Sequence, residues 1–206
     1  MPEDHPIDAE TKLLAAMAYG EASAANNSDE MHALASVIWR QRIARGHATM
    51  ALFVQWEPTY SYVTSDGNKR YQKMTRASDK DIRNDPGMSS ALAAAENAMS
   101  GGPDKSNGAY FWDGADIKSH YKTHFKVRNG IKFTDPSHNI YGIQESTHTV
   151  ILWKTVVKRT GGKIVRETQE TGRYDHVYES TAGIGGTIFW RNSDGYLKTA
   201  GAKVYK

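Results

Sequence analysis

Apolar residues recur every three or four positions near the start of the chain, and this spacing predicts a helix over residues 8–22. Asp8 is a favourable N-cap, because its side-chain oxygen can accept a hydrogen bond from the first helical turn. Leu14, Met17 and Ala18 form the apolar stripe. Glu21 falls on the same stripe, so the pattern places a carboxyl group on the face that points into the core.

A second helix is predicted to begin after Asn27 and to end at Gly46. Asn27 and Glu30 have the spacing of a capping box, in which each residue's side chain bonds the backbone N–H of the other. The inner face of this helix contains Met31, Leu34, Ala35, Ile38 and Arg42. Together the first two helices predict a helical core at the start of the chain.

The next part of the chain is predicted to be mostly irregular, with one further helix. Aromatic and β-branched residues over 51–71, closed by the turn sequence "SDGN", predict a loop and a short hairpin. The Asp-Pro-Gly turn at residues 85–87 starts a third helix over residues 91–99, and "GGP" stops it. Residues 107–132 are again aromatic-rich and irregular.

The pattern changes to strict alternation beyond about residue 144. The segments "HTVILWKTVVKR", "GGKIVRET" and "GGTIFWRNSDGYLKTAGAKVYK" alternate β-branched or aromatic residues with polar ones, which predicts strands. The sequence therefore predicts an α+β fold with two parts. A mainly helical core occupies residues 1–145, and a β-rich extension packed on that core occupies residues 146–206.

Composition adds several exclusions to this picture. Hydrophobic residues make up 39% of the chain and charged residues 24%, which is typical of a folded domain. No run of about eighteen apolar residues is present, so no membrane span is predicted. The N-terminus lacks the pattern of a secretory signal peptide. The absence of cysteine excludes disulfides and thiolate chemistry.

The charge pattern and the common motifs narrow the chemistry further. The net charge of +3 mildly favours an anionic partner, for which nucleic acid and an anionic cell-wall polymer are both candidates, although a slightly basic solvated surface is the simpler explanation. Nucleic-acid binding is not predicted, because Lys and Arg are scattered along the chain. His120 and His124 have i, i+4 spacing but lack the glutamate of a zinc-protease helix, so neither a metal ion nor a cofactor is expected. The usual motifs of acyl-transfer, nucleotide and hydride chemistry are missing.

Two interpretations of Glu21 are open at this point. A carboxyl group on an apolar face should have a raised pKa, which suits a general acid that works near neutral pH. Alternatively, Glu21 reaches solvent at the end of the helix or pairs with Arg40 or Arg42. Periodicity alone favours the second interpretation.

Aromatic residues cluster in two of the irregular segments, Tyr60-Ser61-Tyr62 and Tyr110-Phe111-Trp112. Loops with exposed rings often line clefts, where the rings can stack on sugar faces while neighbouring polar groups bond the hydroxyls. The alternative is that these rings are anchors that pack the loops onto the core.

Four pieces of the chain occur in a characteristic order. They are "LLAAMAYGEASAANNSDEMHALASVIWRQRI" (residues 13–43), "YSYVTSDG" (60–67), "ALAAAENAMSGGPDKSNGAYFWDGADIKS" (91–119) and "SHNIYGI" (137–143). Together, over about residues 10–145, they resemble the cell-wall hydrolases of the spore-cortex-lytic type, a branch of the lysozyme-like glycosidases. In that family the first helix ends in a glutamate within "xGEA". The Lys-rich insertion before "SHNIYGI" and the β-rich end depart from its pattern.

The resemblance implies a lysozyme-like core that cleaves the β-1,4 bond between N-acetylmuramic acid and N-acetylglucosamine in peptidoglycan, with Glu21 as the essential acid. Attack by water would make the protein a lysozyme, and attack by the muramic 6-hydroxyl would make it a lytic transglycosylase. Water attack usually needs a second carboxylate, for which Asp113 is the first choice, before Asp66 and Glu57. The residues expected to contact sugar or position water are Ser61, Tyr62, Tyr110, Trp112, His138 and Tyr141.

Peptidoglycan is accordingly the expected partner. A cognate inhibitor or immunity protein is a further one, because large bacterial antagonism effectors sometimes end in lysozyme-like domains with such extensions. We expect the protein to act in the periplasm or cell wall, delivered by a secretion system or as part of a larger protein. A non-catalytic glycan-binding module is the alternative from another class, although it would not need a glutamate on an apolar stripe.

Overall fold

Helices form the first half of the chain, and most of the strands follow later. The structure is a computed structural model that describes residues 5–60, 64–65, 67–199 and 202–205. The helices are α1 (Ala9–Glu21), α2 (Ser28–Ala44), α3 (Met50–Trp56), α4 (Lys69–Arg76), α5 (Asp79–Asn84), α6 (Pro86–Met99), α7 (Asp116–Ser119), α8 (Phe125–Arg128) and α9 (Asp194–Leu197), with 3-10 turns at Pro58–Tyr60 and Pro136–His138. The strands are β1 (Phe111–Asp113), β2 (Ile131–Lys132), β3 (Val150–Thr160), β4 (Lys163–Tyr174), β5 (Tyr178–Ile184) and β6 (Thr187–Asn192). This mixture confirms the predicted α+β class.

Helices α1, α2 and α6 pack on one another and form the centre of the main hydrophobic core. The predicted helix starts are confirmed at α1 and α2, where Asp8 accepts from the Thr11 N–H at 3.0 Å and Asn27 accepts from the Glu30 N–H at 3.0 Å. Helix α6 begins earlier than predicted, because Asp85 caps it and Pro86 is its first residue.

The predicted hairpin over residues 51–71 is wrong: the described residues there form α3 and the start of α4. Thr49 caps α3 by accepting from the Leu52 N–H at 3.1 Å, and Met50 and Phe53 bury one face of the helix. Asn68 caps α4 in the same way. These caps and the tertiary burial override the local aromatic and β-branched pattern.

A four-stranded sheet lies against the helical core, in the order β1-β6-β5-β2. The pairs β1–β6 and β5–β6 are antiparallel, and β2–β5 is parallel. Because side chains alternate along a strand, Phe189 of β6 packs into the helical core, while Ile188 and Trp190 pack into a second cluster on the other face. The sheet therefore draws its strands from both sides of residue 145.

Strands β3 and β4 form a separate two-stranded antiparallel hairpin, which we call the ribbon (residues 150–174). Gly161 and Gly162 connect the strands, and both have positive φ values, +57° and +77°, as a tight two-residue turn requires. Most residues on both faces of the ribbon are exposed. None of the helices in the described part of the chain is long and apolar enough to span a bilayer.

Candidate active site

Glu21 is the last residue of α1 and continues the buried stripe of that helix, as the spacing predicts. Leu14, Met17 and Ala18 are fully buried, and Glu21 itself is partly buried. The end of α1 is held in place by α4. Asn68 Nδ2 donates to the Gly20 carbonyl at 2.9 Å, and Arg70 Nε donates to the Tyr19 carbonyl at 2.7 Å. These bonds satisfy carbonyls that a helix end leaves free, and they fix the backbone beside Glu21.

The structure does not show the ion pair between Glu21 and Arg40 or Arg42 that the second interpretation includes. Arg40 pairs with Asp104, and the Arg42 guanidinium lies 3.9 Å from the centre of the Trp39 ring, so neither arginine serves as its partner. Instead, Trp112 Nε1 donates to Glu21 Oε2 at 3.2 Å. Glu21 therefore faces a cleft lined by aromatic rings.

Burial raises the pKa of the Glu21 carboxyl above its ordinary value of 4.5. The Trp112 hydrogen bond opposes this effect, because it stabilises the ionised form and lowers the pKa. The negative charge of Asp116 adds a smaller upward shift of the pKa. Since desolvation is the largest of the three effects, the environment favours a protonated Glu21 to a higher pH than for an exposed glutamate.

Two cavities share Glu21, Trp112 and Asp113 in their walls, and together we call them the cleft. The first, of about 590 Å³, is largely aromatic and is also lined by Gln41, Arg45, Tyr60, Phe111, Phe125, Lys126, Tyr178 and Tyr205. The second, of about 680 Å³, which we call the polar cavity because it has more polar side chains in its wall, is also lined by Ser23, Glu30, Gly114, Ala115, Asp116, Tyr141, Gly186 and Thr187. Each volume is within the range typical of small-molecule sites, and Glu21 lies where the two meet.

Asp113, the first choice for a second carboxylate, is a wall residue of both cavities. Its Oδ1 accepts from Lys126 Nζ at 2.8 Å and lies 3.3 Å from His124 Nε2. Its Oδ2 is buried and has no hydrogen-bond partner among the described residues. The lysine ammonium compensates the charge of the buried carboxylate, while the second oxygen is left without a hydrogen bond from the described residues.

The other carboxylates considered differ in their surroundings. Glu57 pairs with Arg45 and accepts a bond from His47 Nε2 at 2.9 Å, so both its oxygens have partners. Asp66 lies outside the described residues. Asp116, which the sequence analysis did not single out, lines the polar cavity with a side chain that is 57% exposed.

The histidine pair noted in the sequence is not brought together as a pair of ligands. His120 Nδ1 lies 3.1 Å from the Ser119 hydroxyl, whereas His124 lies between Asp113 and Asp116. One ligand atom each from Asp113, Asp116 and His124 fall within 4.8 Å of one another, which would suit a metal ion. Because Lys126 already provides the positive charge at Asp113, an ion there would compete with the ammonium group.

The remaining candidates for sugar contact divide into three groups. Trp112 and Tyr141 line the cleft, and the Tyr141 hydroxyl donates to the Gly186 carbonyl. Tyr110 lines a different cavity beside Arg40, and His138 bonds the Ser180 hydroxyl at 2.9 Å outside the cleft walls. The other two candidates, Ser61 and Tyr62, lie outside the described residues.

Tyr60 is a cleft residue that the sequence analysis placed only in a general aromatic segment. Its ring packs between Phe53 and Trp112, at centroid distances of 4.9 and 5.8 Å. Burial raises the pKa of the Tyr60 hydroxyl well above its ordinary value of 10.0, so the group stays protonated. The hydroxyl is buried and has no hydrogen-bond partner within the described part of the chain, although the residue borders the first cavity.

The Glu30 side chain does not make the capping-box bond that its spacing predicts. In a capping box its side chain would bond the Asn27 N–H, but the carboxylate turns toward the cleft and is fully buried. Oε2 accepts from the Ser23 N–H at 3.2 Å and from the Ser23 hydroxyl at 2.6 Å. Oε1 accepts from the Gly186 N–H at 3.0 Å and from the Thr187 hydroxyl at 2.8 Å. Four donors occupy the carboxylate, so Glu30 joins the β5–β6 turn to the start of α2.

The close fit around Glu30 also explains the glycine at position 185. Gly185 has a φ of +61°, and a Cβ there would lie 2.6 Å from the Glu30 carboxylate.

The cleft as a whole contains a carboxyl group with a raised pKa, a paired carboxylate with one oxygen unbonded by the described residues, and a wall of aromatic rings. Comparisons of the chain with protein-family models, with curated protein sequences and with solved structures find no match.

Proposed function

We propose that this protein is a lysozyme-like glycosidase that cleaves the β-1,4 bond between N-acetylmuramic acid and N-acetylglucosamine in peptidoglycan. The observation that carries the proposal is Glu21, a carboxyl group whose pKa is raised by burial where an aromatic and a polar cavity meet. A general acid for an ether-like oxygen must be protonated near neutral pH and must face the substrate. The resemblance of the first 145 residues to cell-wall hydrolases supports the same residue.

In the proposed reaction, protonated Glu21 donates its proton to the glycosidic oxygen while the bond from that oxygen to the muramic C1 breaks. Positive charge develops on the sugar ring, and the ionised Asp113 stabilises it through space. Water then attacks C1 and releases a proton, for which the Asp113 carboxylate is the candidate acceptor. In the alternative, a lytic transglycosylase, the muramic 6-hydroxyl attacks C1 and closes an anhydro ring.

The two halves of the cleft suit a glycan strand. Phe111, Trp112 and Phe125 present partly or fully exposed rings to the first cavity, and such rings can stack on the apolar faces of sugars. The polar cavity presents Ser23, Asp116 and other groups that can bond hydroxyl and acetamido groups. A sugar on each side of Glu21 would bring the bond between them to the acid.

The product analysis tests this function directly. We expect purified peptidoglycan, incubated with the protein, to release soluble muropeptides that end in N-acetylmuramic acid. Mass spectrometry distinguishes the two routes, because an anhydro-muramic end is lighter by one water molecule. Binding to peptidoglycan without release of any fragment would contradict the proposal and favour a glycan-binding module.

The pH dependence provides a prediction with a definite sign. Activity requires protonated Glu21 and should fall as the pH rises through its pKa. In the parent protein the Trp112 hydrogen bond stabilises the ionised carboxylate and lowers the pKa of Glu21. Trp112→Phe removes this donor, so the pKa should rise and the alkaline limb of the pH profile should move to higher pH. Trp39→Phe, at a tryptophan outside the cleft, is the matched control and should leave the limb in place. A limb that moves to lower pH in Trp112→Phe would contradict the assignment.

The proposal includes a place of action and partners. Peptidoglycan lies outside the cytoplasmic membrane, so the protein would act in the periplasm or cell wall, delivered by a secretion system or within a larger protein. An enzyme of this kind endangers the cell that makes it, and a cognate inhibitor or immunity protein that fills the cleft would be its natural partner.

A further inference from the structure

No residue of the ribbon lies in the described walls of the cleft. Its role therefore needs a separate explanation. Among the described residues, β3 and β4 pair only with each other. Four large apolar side chains on the ribbon remain exposed to solvent: Trp153 (58%), Val157 (59%), Ile164 (62%) and Val165 (40%). A long hairpin with exposed apolar groups on it is typical of a surface that contacts a partner.

The net positive charge of the chain is concentrated on the ribbon. The ribbon contains six Lys and Arg residues and two Glu, whereas the whole chain contains 26 basic and 23 acidic residues. The remainder therefore contains 20 basic and 21 acidic residues, and it is close to neutral. The basic residues, which look scattered in the sequence, are Lys154, Lys158, Arg159, Lys163, Arg166 and Arg173.

Both acidic residues of the ribbon are already paired within it. Glu167 accepts from Lys158 Nζ at 2.5 Å, and Glu170 pairs with Arg173 at 2.9 Å. Arg159 and Arg166 are exposed and have no acidic partner in the described part of the chain. The ribbon therefore presents uncompensated positive charge to an anionic partner.

The strand register shows which of these groups share a face. Val157 lies opposite Arg166, and Arg159 lies opposite Ile164. Because side chains alternate, Trp153, Val157 and Arg159 project from one face of β3, and Arg166 and Ile164 project from the same face of β4. This face joins one indole ring, two aliphatic side chains and two guanidinium groups without an acidic partner among the described residues, beside Glu170, which lies opposite Trp153 and pairs with Arg173.

We propose that this face of the ribbon binds peptidoglycan outside the cleft, and that it recognises the carboxylates of the stem peptides attached to the glycan strands. The proposal rests on the proposed function, because it assigns the ribbon a second contact with the same polymer. Guanidinium groups bind carboxylates in a two-pronged geometry, and the stem peptides attached to peptidoglycan carry free carboxylates. The Trp153 ring would stack on the apolar face of a sugar. Because the rest of the molecule is close to neutral, the ribbon would provide most of its electrostatic attraction to an anionic polymer.

The test is co-sedimentation with purified sacculi in a Glu21→Gln background, so that the polymer is not consumed. We expect the double variant Arg159→Glu/Arg166→Glu to raise the Kd for sacculi about tenfold. Trp153→Ala should raise it about fivefold. Conversion of the sacculus carboxylates to methyl esters should weaken the binding of the parent protein to a similar degree.

The matched control is Lys69→Glu/Lys80→Glu, which changes the net charge equally at two exposed residues of α4 and α5. Its Kd should change by less than about twofold, because distant surface charges are screened by salt. Equal effects of the two double variants, or unchanged binding by esterified sacculi, would overturn the proposal. So would tighter binding to duplex DNA than to sacculi at physiological salt.

Cleavage of soluble glycan fragments, measured in the same ribbon variants with Glu21 intact, separates this proposal from the proposed function. Fragments too short to reach from the cleft to the ribbon should be cleaved at the parental rate in every ribbon variant. If sacculus binding behaves as expected but no fragment is cleaved by any variant, the proposed function fails and the ribbon contact stands.

Discussion

Substitution of Glu21 by Gln should lower the rate of muropeptide release from peptidoglycan by about a thousandfold or more, because positioned general acids commonly contribute two to four orders of magnitude. Gln keeps the shape of the side chain and can still accept the Trp112 N–H, but it has no proton to transfer to the glycosidic oxygen. Circular dichroism should remain unchanged. The measurement is soluble fragment release per minute, and a variant with undiminished activity would exclude Glu21 as the acid.

A stability measurement on the same variant checks the cause of the raised pKa. A carboxyl group whose pKa is higher in the folded state stabilises the fold only below its unfolded pKa, and this contribution is lost as the pH rises through the folded pKa. Glu21→Gln removes the buried charge. The variant should therefore melt at a higher temperature than the parent protein at pH 8, and the difference should disappear near pH 4. Glu96→Gln, at an exposed glutamate of α6, should show neither effect.

Substitution of Glu30 by Gln should destabilise the protein by about 3 kcal/mol, even though only one oxygen is exchanged for an amide nitrogen. Each oxygen of Glu30 accepts one backbone N–H and one hydroxyl. The amide nitrogen must face one of these sets in either orientation. The Ser23 and Thr187 hydroxyls can rotate and accept a bond, but the Ser23 and Gly186 backbone groups cannot.

The free energy of unfolding from denaturant titration measures this effect, with Glu96→Gln again as the matched control. The control should change the free energy of unfolding by less than about 0.5 kcal/mol, because its side chain is exposed. A change equally small in Glu30→Gln would contradict the hydrogen-bond network around Glu30. Retained stability combined with lost activity would instead assign Glu30 a direct part in the reaction.

The sequence predicts those features of the fold that depend on local periodicity and capping. The position of Glu21 on the buried stripe of α1 is predictable because Leu14, Met17 and Ala18 define that stripe. The helices α3 and α4 were missed because they have only seven and eight residues, too few to show a clear period. Their aromatic and β-branched content resembles that of strands, and their stability comes from caps and tertiary burial.

The sequence does not predict contacts between residues that are far apart in the chain. Glu30 has the spacing of a capping box, but its carboxylate bonds Gly186, 156 residues away. Lys126 and Asp113 are similarly brought together by the fold, since neither lies on a periodic helix. The ribbon illustrates the same limit for charge: alternation predicts its strands, but only the pairing of β3 with β4 concentrates the basic residues on one arm.

The order of the strands in the sheet also constrains how the molecule reaches its active form. Trp112 lies on β1, which among the described strands pairs with β6 alone, and β6 begins at residue 187. Helices α1 and α2 can form early during synthesis, yet the partner of Glu21 is not in place until β6, at residues 187–192, has been synthesised. Loop closure over such separations is slow compared with helix formation. A chain interrupted before β6 would therefore carry the proposed acid without the wall that surrounds it.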